Sequence, residues 1–145
     1  MKNIMVITGH GRYATAIKST LEFLAGCNDE IKYLDFTAND SDITLKDNMK
    51  TIINENIGSG ILFVCDILGG TPFKCAVELS LLNDGIEVVA GCNIGSMLDA
   101  SFKLDSSNIG ELADIIVGSS IRSTIKFKIN IAQSKEKELE PDLGI

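Results

Sequence analysis

"IMVITGHGRYATAIKSTLEFLAG", residues 4–26, decides the fold. Ile4 to Thr8 is a short apolar run rich in β-branched residues and bounded by Gly9, which predicts a buried strand. From Tyr13 the period changes. Ala14, Ile17, Leu21 and Leu24 fall at helical spacing, and Gly26 supplies a stop. A strand feeding directly into a helix is half of a β-α-β unit. The join between the two halves, Gly9-His10-Gly11, carries the chain's single histidine.

The same alternation repeats along the chain. Ile31 to Phe36 reads as a second strand, followed by a helix with Asp42 as N-cap and Leu45, Met49, Ile52 and Ile53 on its apolar face, closed by Gly58. Ile61 to Cys65 is the clearest buried strand. Thr71 as N-cap and Pro72 at the first helical position open a helix to about Asn83. Glu87 to Gly91 reads as a fourth strand, and Ser96 to Leu104 as a short helix. Asn108 with Glu111 three residues on forms a capping box for a longer one. Strands alternating with helices call for an open, mainly parallel sheet covered on both faces, because each crossover is right-handed. The expected class is α/β, in the flavodoxin-like order 2-1-3-4.

Composition bounds the function. The 145 residues make one domain at 1–132 and a charged tail at 133–145, "SKEKELEPDLGI" forming most of the latter. The formal net charge of −7 speaks against nucleic acid or an anionic membrane as the main partner. The apolar segment after Met1-Lys2-Asn3 is too short for a signal peptide or a membrane span, so the expected location is cytoplasmic. Cys27, Cys65, Cys75 and Cys92 are scattered and fit buried free thiols in a reducing compartment. With one histidine and no paired cysteines, no metal site is expected, nor any cofactor.

In an open sheet of order 2-1-3-4, ligands bind beyond the carboxyl ends of strands one and three. His10 leaves the first of these and Asp66 the third, so the two loops are expected to meet. A carboxylate that holds one imidazole nitrogen as N–H leaves the other lone pair free to act as a nucleophile. Gly69-Gly70 lets backbone amides approach an anion, and the helix opening at Thr71 adds unpaired N–H groups and a favourable dipole. This set suits phosphoryl capture. Each part also has a plainer reading, as a loop cap, a turn or a solvated charge; for Arg12 the readings are a solvated charge or a contact to a phosphate or a partner. Gly9 and Gly11 do not complete a dinucleotide fingerprint.

"VITGHGRYA" at 6–14, "FVCDILGGTPFKCA" at 63–76 and "VVAGCNIGSML" at 88–98 occur in order, and together they resemble the IIA domain of the mannose family of the bacterial sugar phosphotransferase system. The resemblance implies a phosphohistidine carrier, an enzyme of phosphoryl transfer with a flavodoxin-like fold. His10 would take a phosphoryl group on Nε2 from the histidine-containing phosphocarrier protein and pass it to a IIB component, serving sugar uptake through membrane IIC and IID components. Asp66 would orient the ring, and Thr71 matches a hydroxyl position near the phosphoryl group. Because the sequence ends at Ile145, the IIB component is expected to be a separate chain. Gly9 stands where many relatives carry Ser or Thr, which leaves its role open.

Three rivals share parts of this pattern. One is the related phosphotransferase subunit that feeds dihydroxyacetone kinase; the G-G-T-P-F segment favours the sugar system. A signalling receiver phosphorylated on Asp66 would need an acidic pair after strand one, where Thr8-Gly9-His10 stands. A flavin-binding domain would need a Ser/Thr-rich phosphate loop there.

One segment remains. In "TIKFKINIA", residues 124–132, Ile125, Phe127, Ile129 and Ile131 alternate with polar residues, the period of a half-buried strand. The resemblance implies a homodimer in which this strand joins the partner's sheet antiparallel. The alternative is that Ser123 to Lys128 continues the preceding helix.

Overall fold

The structure is a computed structural model that describes residues 2–129. The elements are β1 (Asn3–His10), α1 (Tyr13–Ala25), β2 (Ile31–Phe36), α2 (Asp42–Glu55), β3 (Gly60–Cys65), α3 (Thr71–Ser80), β4 (Ile86–Ala90), α4 (Ile94–Ser101) and α5 (Ile109–Ser123). All strand pairs are parallel, in the order β2-β1-β3-β4. The topology read from the sequence therefore holds.

Strand alternation divides the interior into two cores. Met5, Ile7, Leu62, Val64 and Val89 face the layer of α1, α4 and α5. Ile4, Val6, Ile61, Phe63 and Ile86 face α2 and α3. Both faces of β1 and β3 are covered, which is why their sequences read as continuous apolar runs. Phe63 is fully buried at the centre of the second core, where truncation to alanine would cost about 3–5 kcal/mol through the cavity left behind.

Several boundaries differ from the sequence reading, each for a local reason. Ser41 rather than Asp42 caps α2, its hydroxyl accepting from the Thr44 N–H at 3.1 Å. Gly70, not Thr71, is the N-cap of α3, and the helix ends at Ser80. Asn93 caps α4, so that helix begins two residues before Ser96. The capping box of Asn108 and Glu111 is present at α5. Of the four cysteines, Cys65, Cys75 and Cys92 are buried but Cys27 is exposed, because it follows Gly26 at the surface end of α1.

α5 stops at Ser123, and residues 124–129 form no regular element. Ile125, Phe127 and Ile129 are exposed there. The rest of the alternating segment, Asn130 to Ala132, and the tail at 133–145 lie outside the described residues. No helix among the described residues is long and apolar enough to cross a membrane.

Candidate active site

β1 runs from its buried start at Asn3 to His10, which is its last residue and pairs in register with Phe36, the last of β2. Asp66 follows the end of β3, its N–H donating to the Thr8 carbonyl at 3.2 Å. Sheet order thus sets the two residues side by side, as the crevice rule requires.

The contact is specific. Asp66 Oδ2 accepts the His10 backbone N–H at 2.9 Å and lies 2.7 Å from His10 Nδ1. Asp66 Oδ1 accepts the Ile67 N–H at 2.9 Å. Desolvation pushes the Asp66 carboxyl up, but the hydrogen bonds from His10 and Ile67 outweigh it and hold the group below its ordinary value. It is therefore a carboxylate at neutral pH, and Nδ1 is the natural seat of the ring N–H facing it. Nε2 has no hydrogen-bond partner among the described residues, and the His10 side chain is 43% exposed.

Two further contacts hold the ring. Phe36 meets it edge-on, with centroids 5.7 Å apart and planes at 72°. The Gly11 N–H also donates to the Phe36 carbonyl at 2.7 Å, tying the residue after the histidine to the end of β2. On another side stands Gly70, where a Cβ would fall 2.8 Å from His10 Cε1. Gly69 adopts φ +77°, a left-handed conformation that favours glycine, and this turn brings the start of α3 against the imidazole.

The helices that follow β1 and β3, α1 and α3, begin at this site, and their N-termini differ. α1 is capped from outside by Asp35 of β2, whose Oδ1 accepts the Thr15 N–H at 2.9 Å while Oδ2 accepts the Thr15 hydroxyl. Its positive end is already met by a carboxylate. No side chain caps α3, and its N-cap residue, Gly70, sits against the ring. An anion held at His10 would therefore find its donors at α3.

The sequence-read residues fall as follows. His10, Asp66 and Gly70 meet, Gly69 forms the turn before Gly70, and Thr71 follows as the first residue of α3. Arg12 is exposed at the N-cap position of α1, and its side chain caps nothing. Phe36 and Asp35 escaped the sequence reading, because only the pairing of β2 with β1 brings them to the site. Thr71 and Phe36 also line an open cleft of about 370 Å³ bordered by Lys46 and Lys74. Lys46 is paired with Glu78 across α2 and α3.

Comparison with known proteins identifies the family of the chain. The family model described as the fructose IIA component of the phosphotransferase system matches residues 4–117. The sorbose-specific EIIA component of Lacticaseibacillus casei is 25% identical over 108 residues, spanning 74% of this chain and 78% of that protein. The mannose-specific EIIAB component of Escherichia coli (strain K12) is 28% identical over 102 residues, 70% of this chain but only 32% of that longer protein. Among solved structures, the EIIA component from Streptococcus agalactiae superposes with a TM-score of 0.75 at 27% identity, covering 86% of this chain and 96% of the other. The mannose/sorbose-specific IIA subunit from Enterococcus faecalis gives 0.81 at 22% identity over 89% and 97%, a likeness of fold. The match to the family model takes in both loops of the site, and the chain belongs to the mannose, fructose and sorbose family of IIA components of the sugar phosphotransferase system.

Proposed function

We propose that this IIA component is a phosphohistidine carrier and that His10 Nε2 is the atom phosphorylated. The observation that carries the reading is the double contact of Asp66 Oδ2 with the His10 backbone N–H and Nδ1, which leaves Nε2 as the ring nitrogen without a partner among the described residues.

The Nε2 lone pair attacks the phosphorus of a phosphohistidine on the histidine-containing phosphocarrier protein. The donor's P–N bond breaks, and its electron pair returns to the donor imidazole. Positive charge then grows on the His10 ring, where the Asp66 carboxylate stabilises it. The phosphoryl oxygens lie against the N-terminus of α3, with the Thr71 hydroxyl as a further donor. Transfer onward repeats the step in reverse, to a nucleophile on a IIB component. The sugar crosses with the IIC and IID components and does not touch this chain.

Such exchange between soluble proteins places the carrier in the cytoplasm. The net charge of −7 suits partners with complementary positive surfaces, which would be steered to it in a salt-dependent way, and Arg12 is the exposed cation nearest His10 in sequence. We further propose a homodimer in which the 124–132 segment pairs with the free edge of the partner's β4. Ile125, Phe127 and Ile129 are exposed and, among the described residues, β4 pairs on one side only; both support that arrangement.

The test is incubation with phosphoenolpyruvate, enzyme I and the phosphocarrier protein, followed by intact-mass measurement. One acid-labile, base-stable phosphoryl group is expected on the native chain and none on His10→Ala. Full phosphorylation of His10→Ala would sink the assignment.

A further inference from the structure

Gly9 has no room for a side chain. A Cβ on its backbone would lie 2.5 Å from Tyr13 Cδ1 and 2.8 Å from both Cβ and Cγ of Asp66. Its φ is not positive, so space and not backbone conformation demands glycine here. The Tyr13 ring and the stem of the Asp66 carboxylate therefore close together over one bare stretch of β1.

Tyr13 is the first residue of α1 and is half-buried, packed on the core shared by α1, α4 and α5. Its hydroxyl makes no hydrogen bond among the described residues, so what it contributes to the site is the ring. The phenol is pushed up to about 12, first by burial and then by the charge of Asp66, which places the carboxylate close to this aromatic wall.

We propose that Tyr13 is a positioning residue for phosphoryl transfer: its ring, packed with Asp66 over Gly9, holds the carboxylate on His10 Nδ1. The proposal rests on His10 being the phosphoryl acceptor. Asp66 turns about two soft side-chain torsions, and only a narrow range of them lets Oδ2 meet both His10 N–H groups. Without the ring, the carboxylate gains space to rotate and water gains access to it. Nδ1 then loses its fixed acceptor, and the imidazole exchanges between tautomers. In the wrong tautomer the outward nitrogen carries a proton and cannot attack. A tyrosine that only completed the core would affect stability and leave the tautomer alone.

The chain's single histidine makes this measurable. The full-length protein, labelled with ¹⁵N in histidine, reports the His10 tautomer by two-bond N–H correlation, and phosphoramidate serves as a small phosphoryl donor. Tyr13→Leu and Gly9→Ala are each expected to give a mixed tautomer and a rate of His10 phosphorylation reduced about tenfold, with melting curves still cooperative. Tyr13→Phe is expected to restore the single Nδ1–H tautomer and a rate within about twofold of native. The native tautomer and rate in both Gly9→Ala and Tyr13→Leu would overturn the proposal. So would a Tyr13→Phe protein as impaired as Tyr13→Leu, since the hydroxyl would then be the active part. Should Tyr13→Leu fail to fold, Tyr13→Met decides, because it also removes the ring and leaves Gly9 and Asp66 unaltered. A native chain that takes no phosphoryl group would end the carrier reading, while the tautomer comparison would still decide what Tyr13 does.

Discussion

Asp66 meets His10 twice through one oxygen, Oδ2, at 2.9 Å to the backbone nitrogen and 2.7 Å to Nδ1. Backbone and ring are thus fixed by a single atom, and the ring cannot flip without giving up that contact. Asp66→Asn keeps the shape but removes the charge, and one amide oxygen cannot replace two carboxylate oxygens for three donors. Phosphoryl transfer to His10 is expected to slow about 10²–10³-fold, as for loss of a preorganised electrostatic partner. The stability cost should be about 1 kcal/mol. Rapid-quench phosphorylation and thermal melting check both; unchanged transfer would reduce Asp66 to a loop residue.

Gly70→Ala separates ring placement from folding. Gly70 has an ordinary φ of −69°, so alanine fits the backbone, but its methyl would meet His10 Cε1 at 2.8 Å and Ile67 Cγ1 at 3.0 Å. Both neighbours are side chains and can move, and the ring's movement is what costs activity. Transfer should fall about tenfold or more, while stability changes by less than about 1 kcal/mol. A native rate in this variant would show that the ring tolerates displacement.

Stability should fall at both ends of the pH scale. Asp66 is held below its ordinary value by hydrogen bonds that outweigh desolvation, and Asp99 chiefly by its hydrogen bond from Lys103. Such groups stabilise the fold above the unfolded carboxyl value, near 3.8, and that contribution is lost as pH falls through their lower folded values. Tyr13 and Tyr33 are raised from 10.0 to about 12 and Cys65 from 9.0 to about 12, burial being the main cause in each. These favour the folded state below their unfolded values, and the benefit is lost between pH 9 and 12. Denaturant titrations across pH should show a plateau between; a steep slope within about pH 5–8 would contradict this assignment of groups.

Thiol chemistry should be sharply unequal. Cys65, Cys75 and Cys92 are buried, and burial raises each thiol, whereas Cys27 is exposed. At neutral pH one equivalent of a thiol-specific disulfide reagent is expected to react at once and three more only after denaturation. Rapid reaction of a second thiol would mean that one of the cores opens readily.

Deleting residues from Thr124 onward tests the proposed dimer. Loss of the alternating Ile125, Phe127 and Ile129 should give monomers or aggregates by sedimentation, with the edge of β4 that no described strand covers as the sticky surface. A full-length chain that sediments as a monomer at micromolar concentration would remove the strand-exchange reading.

The alternation of strand and helix was legible because residues 4–8 and 61–65 are buried on both sides, so their apolar runs are unbroken. His10 and Asp66 were legible because sheet order alone makes their loops adjacent. Phe36, Asp35 and Tyr13 were not. Phe36 and Asp35 depend on the register of β2 against β1, and Tyr13 has the sequence signature of any first-turn core residue. Gly9 was visible but unexplained, since only the positions of Tyr13 and Asp66 show that the site is full. The starts of α3 and α4 shifted because glycine and asparagine, at Gly70 and Asn93, took the cap positions ahead of the hydroxyl residues.

His10 ends a strand in the middle of the sheet and is fixed by Asp66, Phe36 and Gly70, none of them on a hinged arm. A reactive atom so anchored cannot swing from one visitor to another. On the proposed function, giver and receiver must occupy the same ground in turn, each excluding the other while it is there. The kinetics should then be ping-pong, with parallel double-reciprocal lines and inhibition when either visitor is in large excess.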